Sequence, residues 1–373
     1  MSQFFNFGNG SDGIGTLSGT HAPIDSSCSG TAGASTLSAT NASFAAGQRI
    51  YIIQMRGTNA GINNEMNTIL SYVAGTITLS NPLEFTYTDS GASQAQVIVM
   101  PQYSAVNIGS TLTSKAWDGN VGGVTPILCS GRISIPGSLT ALGVGFRGGA
   151  GGAGGTNATG TQGESPTGTG SVSTSANGAG GGGGGAKGGT GNNAAGGGGG
   201  AYATSGSAGT VVPPNNATPG SAGVGSIGQD ALTSLFMGSG AGGAGASSVV
   251  TGVSNGGNGG GIILLFGKDI VITGTVNADG SAGSTNGAGG AAAAGGGSGG
   301  SIFIRCVSAT LGTSLITANG GSAAVHNGGG GAGGAGSVGR IRIEACSVNG
   351  ESVPTSSKQT GGFPYCSSSV YLF

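Results

Sequence analysis

Charge is what this chain has least of. Only 6 % of its 373 residues are Asp, Glu, Lys or Arg, and the formal net charge is −1. No basic stripe exists to neutralise phosphates, which excludes nucleic-acid binding driven by counterion release. A polybasic face for a membrane surface is missing for the same reason. Long apolar runs are also absent: the longest burst, Ile262–Phe266, falls far short of the roughly 20 residues that a spanning helix needs. Histidine occurs twice, at His21 and His326, in no metal-ligand or triad spacing. The 11 prolines, without a strict third-residue glycine period, exclude a collagen triple helix. The N-terminus, Met-Ser-Gln-Phe-Phe-Asn-Phe-Gly, has no positive n-region and no continuous apolar h-region. No Sec signal peptide is read there, and assembly in the cytosol is expected.

What the chain has in excess is glycine, 88 residues massed in runs such as Gly180–Gly185 and Gly196–Gly200. Glycine has no side chain to bury, so such runs are either solvated linker or backbone packed directly on backbone. Linkers are rich in charge and poor in aliphatic residues, whereas 36 % of this chain is hydrophobic. Packed backbone is the reading that fits. A chain so poor in charge must satisfy its polar groups through its own main chain or through neighbouring subunits.

Residues 1–146 read as a β-rich N-terminal domain. Arg49–Met55, Ile69–Val73, Thr76–Leu79, Gln96–Met100 and Arg132–Ile135 are β-branched runs between turn signals. Their continuous apolar stretches suit strands buried on both faces, as in a small sandwich or barrel. Residues 147–346 are predicted as a glycine-rich domain, with Glu164, Lys187 and Asp230 the only charges between Gly148 and Gly261. Extended three-residue-per-turn helices made of glycine, polyglycine II, have no internal hydrogen bonds, and several side by side can bond N–H to C=O between helices. On that packing Gly182→Val is expected to break the fold and Ser254→Val to be tolerated.

A repeat runs through this half. Short strands follow glycine runs at Gly261-Ile-Ile-Leu-Leu-Phe, Gly300-Ser-Ile-Phe-Ile-Arg-Cys and Gly339-Arg-Ile-Arg-Ile-Glu, with Ile262, Ile302 and Ile341 spaced by 40 and 39 residues. A second element follows at Ile270-Val-Ile-Thr-Gly-Thr-Val-Asn and Thr313-Ser-Leu-Ile-Thr-Ala-Asn, with an earlier copy at Ile133-Ser-Ile-Pro-Gly-Ser-Leu-Thr. The expected fold is therefore all-β: an N-terminal β sandwich or barrel, then a polyglycine-II bundle interleaved with repeated short strands. Residues 347–373, ending Ser-Val-Tyr-Leu-Phe, are read as a C-terminal docking segment.

Chemistry is sparse. Gly238-Ser-Gly-Ala-Gly-Gly matches a phosphate-loop pattern but lacks the strand before it and the helix after it. Asn277-Ala-Asp-Gly lacks the bidentate Glu of a calcium loop. Glu65, Glu84, Asp89, Asp118, Asp269 and Asp279 sit largely in turn-like settings. No catalytic residue, metal or cofactor is assigned. The five cysteines, Cys28, Cys129, Cys306, Cys346 and Cys366, have no zinc spacing and are expected as buried thiols, with a Cys306–Cys346 bridge left open by the repeat. Candidate contact residues lie in polar loops and in excursions between glycine runs, where a rigid scaffold displays binding groups. They are Trp117, after Leu112-Thr-Ser-Lys-Ala, then Tyr202, Phe236 and Met237, and His326 within Ser322–Asn327. Each could instead fill a core or cap the edge of the glycine packing.

Several stretches taken together resemble glycine-rich proteins of phages and uncultivated bacteria: Asn6-Phe-Gly-Asn-Gly-Ser-Asp-Gly, Ala95-Gln-Val-Ile-Val-Met-Pro-Gln-Tyr, Leu112-Thr-Ser-Lys-Ala-Trp-Asp-Gly, Gly145-Phe-Arg-Gly-Gly and Gln162-Gly-Glu-Ser. Residues 147–339 resemble the polyglycine-II sandwich of tail-fibre tip adhesins of T-even-type phages. The resemblance implies a non-enzymatic, host-attaching fibre protein, located in the virion tail or at a cell surface. Its partner would be a cell-surface glycan or outer-membrane protein, and its binding determinants would lie in the loops between glycine runs. The longer β region and the strand repeat depart from those adhesins and suit equally a homo-oligomeric filament subunit. A glycan-degrading fibre enzyme is the third reading.

Overall fold

The computed structural model describes residues 7–155, 157–185, 194–213, 216–247, 253–285, 292–325, 330–363 and 366. His326 and the terminal Ser-Val-Tyr-Leu-Phe lie outside them. The described residues are all-β, without an α-helix, and contain a 13-stranded sheet of parallel pairs and a closed six-position antiparallel barrel.

The barrel uses the strands Asp25–Ser29, Thr36–Ala39, Thr76–Leu79, Asn64–Val73, Arg49–Arg56 and Gln94–Val99, in that order around the wall. Alternation along Arg49–Arg56 explains its unbroken apolar sequence. Ile50 and Ile52 point into the barrel with Leu37, Ile69, Ile77 and Val97, while Tyr51, Ile53 and Met55 join a second core outside it. A strand with both faces buried needs no polar positions.

The rest of the strands coil into a parallel stack. One column holds Val124–Cys129, Ile262–Gly267, Ser301–Cys306 and Arg340–Ala345, paired side by side. The next steps through Ile14, Ala105, Arg132, Asp269 and Ser308. The third runs through Gly19–His21, Thr111–Ser114, Ser138–Thr140, Thr275–Asn277 and Ile316–Thr317. Inward residues form columns of one kind, such as Ile127, Leu265, Ile304 and Ile343, all fully buried. These strands come from both sides of residue 146, so the sheet runs across the expected boundary, and residues 347–360 also belong to it.

The register corrects the spacing of the repeat. Ile302 pairs with Ile263, not Ile262, and with Ile341, so the structural period is 39 residues at both steps. The difference matters because side chains alternate: Ile263 faces the stack interior while Ile262 faces the second core. The same slip separates the cysteines. Arg305 pairs with Glu344, so Cys346 sits one position beyond the equivalent of Cys306. Cys306, Cys28 and Cys129 are buried thiols, and Cys346 is bridged to Cys366 instead. The second repeat element aligns as its sequence suggests, with Ile133 on Ile270 and Val276 on Ile316.

Each turn of the stack must return from the third column to the first. After the first turn the return is the barrel, after the second it is the short segment 115–123, and after later turns it is glycine-rich chain, in the described parts of residues 141–261, 278–300 and 318–339. Within those returns, backbone hydrogen bonds change partner with every residue and come back to the same partner every third. Ala195, Gly198 and Ala201 donate to Gly185, Gly182 and Ala179, at 2.7 to 2.9 Å. Gly196 and Gly199 donate to Thr210 and Ser207, while Gly197 and Gly200 donate to Ala293 and Gly296. The carbonyls of the same run accept from three further runs: from Gly220 and Gly223, from Gly242 and Gly245, and from Gly334 and Ser337. Every polar group along this buried run is thus answered by another backbone.

Approach this close leaves no room for a side chain. A Cβ on Gly198 would overlap the carbonyl of Ser221, and one on Gly242 that of Gly182. Ser254, expected to tolerate valine, is itself buried; its carbonyl accepts from Ala244 at 2.9 Å and its backbone abuts Gly151. It belongs to the packing, so substitution there is not a neutral control.

Candidate functional site

Two places gather the side chains that carry chemistry. The first is a buried ion cluster beneath the barrel. Glu164, 2 % exposed, pairs through Oε1 with Nη1 of Arg56. Its Oε2 accepts from Trp117 Nε1 at 3.1 Å, from Arg147 N at 3.1 Å and from Arg147 Nε at 3.0 Å. Arg147 Nη1 reaches the carbonyl of Asp118 at 3.1 Å. A barrel strand, a stack loop and the glycine returns meet on one carboxylate. The motifs Trp117-Asp-Gly, Phe146-Arg-Gly-Gly and Gln162-Gly-Glu-Ser, far apart in sequence, converge here. Likewise Asp12 and Gln102 meet, with Gln102 N donating to Asp12 Oδ2 at 2.6 Å. Carboxylates saturated in this way hold the fold together rather than act on a ligand.

Trp117 is therefore an internal residue, 3 % exposed, packed edge-on against Phe146 with ring centres 6.0 Å apart. Tyr202 is fully buried, and its hydroxyl and Ser301 Oγ share a hydrogen bond of 2.7 Å. Burial pushes its phenol up to about 12, against the pull of Ser301 and Arg340. Phe236 stacks edge-on to Tyr202, and Met237 is buried in the second core against Gly123, which at φ 73° has no space for a Cβ. All four are core residues of this chain, a correction to the expectation that they face a partner. Trp117 and Met237 belong to the second core, while Tyr202 and Phe236 pack on each other beside Ser301.

The second place is a groove of about 430 Å³ between barrel and stack. Its floor is the outward face of the first column: Leu264, Phe266 and Phe303. One wall is the polar barrel loop that reads Asn59-Ala-Gly-Ile-Asn-Asn-Glu, contributing Ile62 and Asn64, with Glu84 and Phe85 beside it. The facing wall is Ala231–Leu235 from a glycine excursion, and Phe363 closes one end. The walls are fastened to each other: Leu235 N donates to Gly61 O at 3.0 Å and Asn64 Nδ2 to Thr233 O at 3.2 Å. Leu232 holds φ 48°, a conformation that costs a non-glycine residue about 1–2 kcal/mol and is kept by this packing.

Charge enters at the groove's open end. Arg305 lies over Phe303 at 4.9 Å and Phe266 at 5.4 Å and gives Nε and Nη2 to Glu344 Oε2 at 2.8 and 2.6 Å. Arg342 takes the other oxygen of Glu344 at 3.3 Å. Glu84 is exposed on the rim. The floor changes along the stack because its outward positions do: Leu264, Phe303, Arg342 form one row and Phe266, Arg305, Glu344 the next. Read as alternate positions of the 39-residue repeat, this drift from apolar to charged is a sequence signal, and the charged positions Arg305, Arg342 and Glu344 are buried as mutual ion pairs. Without the register it is invisible, and none of these residues was singled out.

Among the described residues, no three His, Cys, Asp or Glu side chains cluster as a metal site. No protein-family model and no curated protein matches the chain. Among solved structures, the Gp54 tailspike of Acinetobacter baumannii bacteriophage AP22, in complex with A. baumannii capsular saccharide, is similar at 12 % identity and a TM-score of 0.21, covering 88 % of this chain and 54 % of its own. The tailspike protein gp49 from Pseudomonas phage LKA1 is similar at 9 % identity and a TM-score of 0.19, covering 94 % and 65 %. The chain thus spans less than two thirds of each tailspike, and TM-scores this low do not establish a shared fold.

Proposed function

We propose that this chain is a non-enzymatic fibre or host-attachment protein of phage type, in which glycine returns packed as polyglycine II make a rigid support for a cell-surface-binding face. The observation that carries the scaffold is the bonding of residues 195–200, whose donors and acceptors repeat every third residue and reach a different neighbouring run each time. That is the pattern of threefold extended helices packed side by side. A surface-binding role follows from rigidity combined with a preformed groove of mixed chemistry, since sites on locked elements bind without ordering cost. Glu164 and Glu344, among the most buried carboxylates, are both held by arginines, which suits structural use.

A second reading, a self-stacking filament subunit, draws on the open ends of the parallel stack. Ile14–Thr16 has a single strand neighbour, as does Ser347–Val353, and Ile14 is 77 % exposed. Electron microscopy of the purified protein separates the two. Discrete particles that adsorb to bacterial cells support attachment; long regular filaments that adsorb to none overturn it.

A further inference from the structure

We infer that the groove between barrel and stack, walled on one side by the excursion Ala231–Leu235, is the ligand site, and that it takes a neutral pyranose ring of a glycan. The inference rests on the attachment reading for its biological sense but not for its chemistry. A pyranose presents a C–H face that packs on aromatic rings and hydroxyls at its edge that need acceptors. The groove supplies both, with the half-buried ring of Phe85 in its wall above a buried floor of Leu264, Phe266 and Phe303, and the exposed carboxylate of Glu84 on the rim. At the far end Arg305 and Arg342 share Glu344, and Glu84 on the rim balances the remaining positive charge, so the site carries no surplus positive charge to demand an anionic sugar.

Size suits a small ligand. The groove's volume of about 430 Å³ lies in the lower range of small-molecule sites. The walls are also preformed: Asn64 has its amide committed to Thr233, Gly61 and Ile62, so it braces the opening instead of binding. Glu84 is left as the acceptor for an equatorial hydroxyl pair.

Saturation-transfer NMR with methyl hexopyranosides and the corresponding disaccharides tests this directly. The full chain is expected to show transfer to ring C–H protons. Glu84→Ala should weaken binding by about tenfold or more, the loss of one charge-assisted hydrogen bond. Thr233→Trp, which fills the groove from its exposed wall, should abolish it, while Ser221→Trp on the glycine side should not. Wild-type binding by both groove variants, or no transfer from any sugar, overturns the assignment. Cell adsorption read in parallel keeps the two conclusions apart. Adsorption that survives Thr233→Trp sinks the groove and leaves attachment standing; sugar binding without any adsorption does the reverse.

Discussion

In the parallel stack, columns of Ile, Leu and Val fill the space between backbones; in the glycine returns there is no space to fill. Both are built on the same turns of chain, yet they fail in opposite ways. A stack position such as Ile304 contributes about 1.5–3 kcal/mol by leaving water and is damaged by removing atoms. A lattice position such as Gly198 contributes nothing from a side chain and is damaged by adding one. Its stability comes from backbone hydrogen bonds, each worth roughly 0.5–1.5 kcal/mol net, set against the larger chain entropy that glycine loses on folding.

The sharpest test of that contrast is one methyl group. Gly198→Ala should cost more than about 3 kcal/mol, beyond ordinary overpacking, because the clash is with backbone carbonyl rather than a movable side chain. Ser221→Ala, on the exposed side of the same contact, should stay within about 0.5 kcal/mol; equal denaturation midpoints for the pair would break the contrast. Glu164→Gln should cost about 3–5 kcal/mol by leaving two arginines beneath the barrel with a weaker partner. Differential scanning calorimetry would show barrel and glycine returns losing stability together, and a loss confined to one would separate them. Ile304→Val, removing one methylene from the stack, should cost about 0.5–1.5 kcal/mol, measured by chemical denaturation.

The smallest effect is on pH. His21 closes the first turn, 8 % exposed, and burial holds its pKa below the ordinary 6.5 despite the carbonyl of Pro126. Below pH 6.5 the unfolded chain takes up a proton that the folded chain refuses, so stability falls as pH drops through that value. Asp25, Glu65 and Asp279 are raised by burial and tilt the curve the other way. The readout is therefore a difference: His21→Gln should unfold with a flatter dependence between pH 7.5 and 5.5 than the wild type. Identical slopes would remove His21 from the account.

Much of the fold was legible before any coordinates. The all-β class, the doubly buried strand at Arg49–Arg56 and the succession of strand, turn, strand and glycine run all correspond to observed elements. Less legible was which strand belonged with which. The division at residue 146 followed composition, but composition changes where the chain enters a glycine return, not where one sheet ends. Of the site, none of the groove's lining residues is among the candidate contacts, because floor and walls come together only through the register and the fold. For the individual aromatics the sequence leaves both contact and core filling open, and the fold decides for burial: Trp117 in the second core, Tyr202 against Phe236.

By itself the sequence favoured packed glycine backbone over solvated linker, since a chain this poor in charge and this rich in aliphatic residues must satisfy its peptide groups within its own main chain or against a neighbour. It also determined the repeat, to within one residue. Only the tertiary structure decided that residue, and with it which side chains face inward, because a strand alternates with period two and a slip of one exchanges core for surface. It alone decided, too, that the outward face is buried in the second core at Leu264, Phe266 and Phe303 and carries the buried Arg305–Glu344–Arg342 pairs further on. That depends on where the barrel return comes to rest against the stack, which no local spacing encodes.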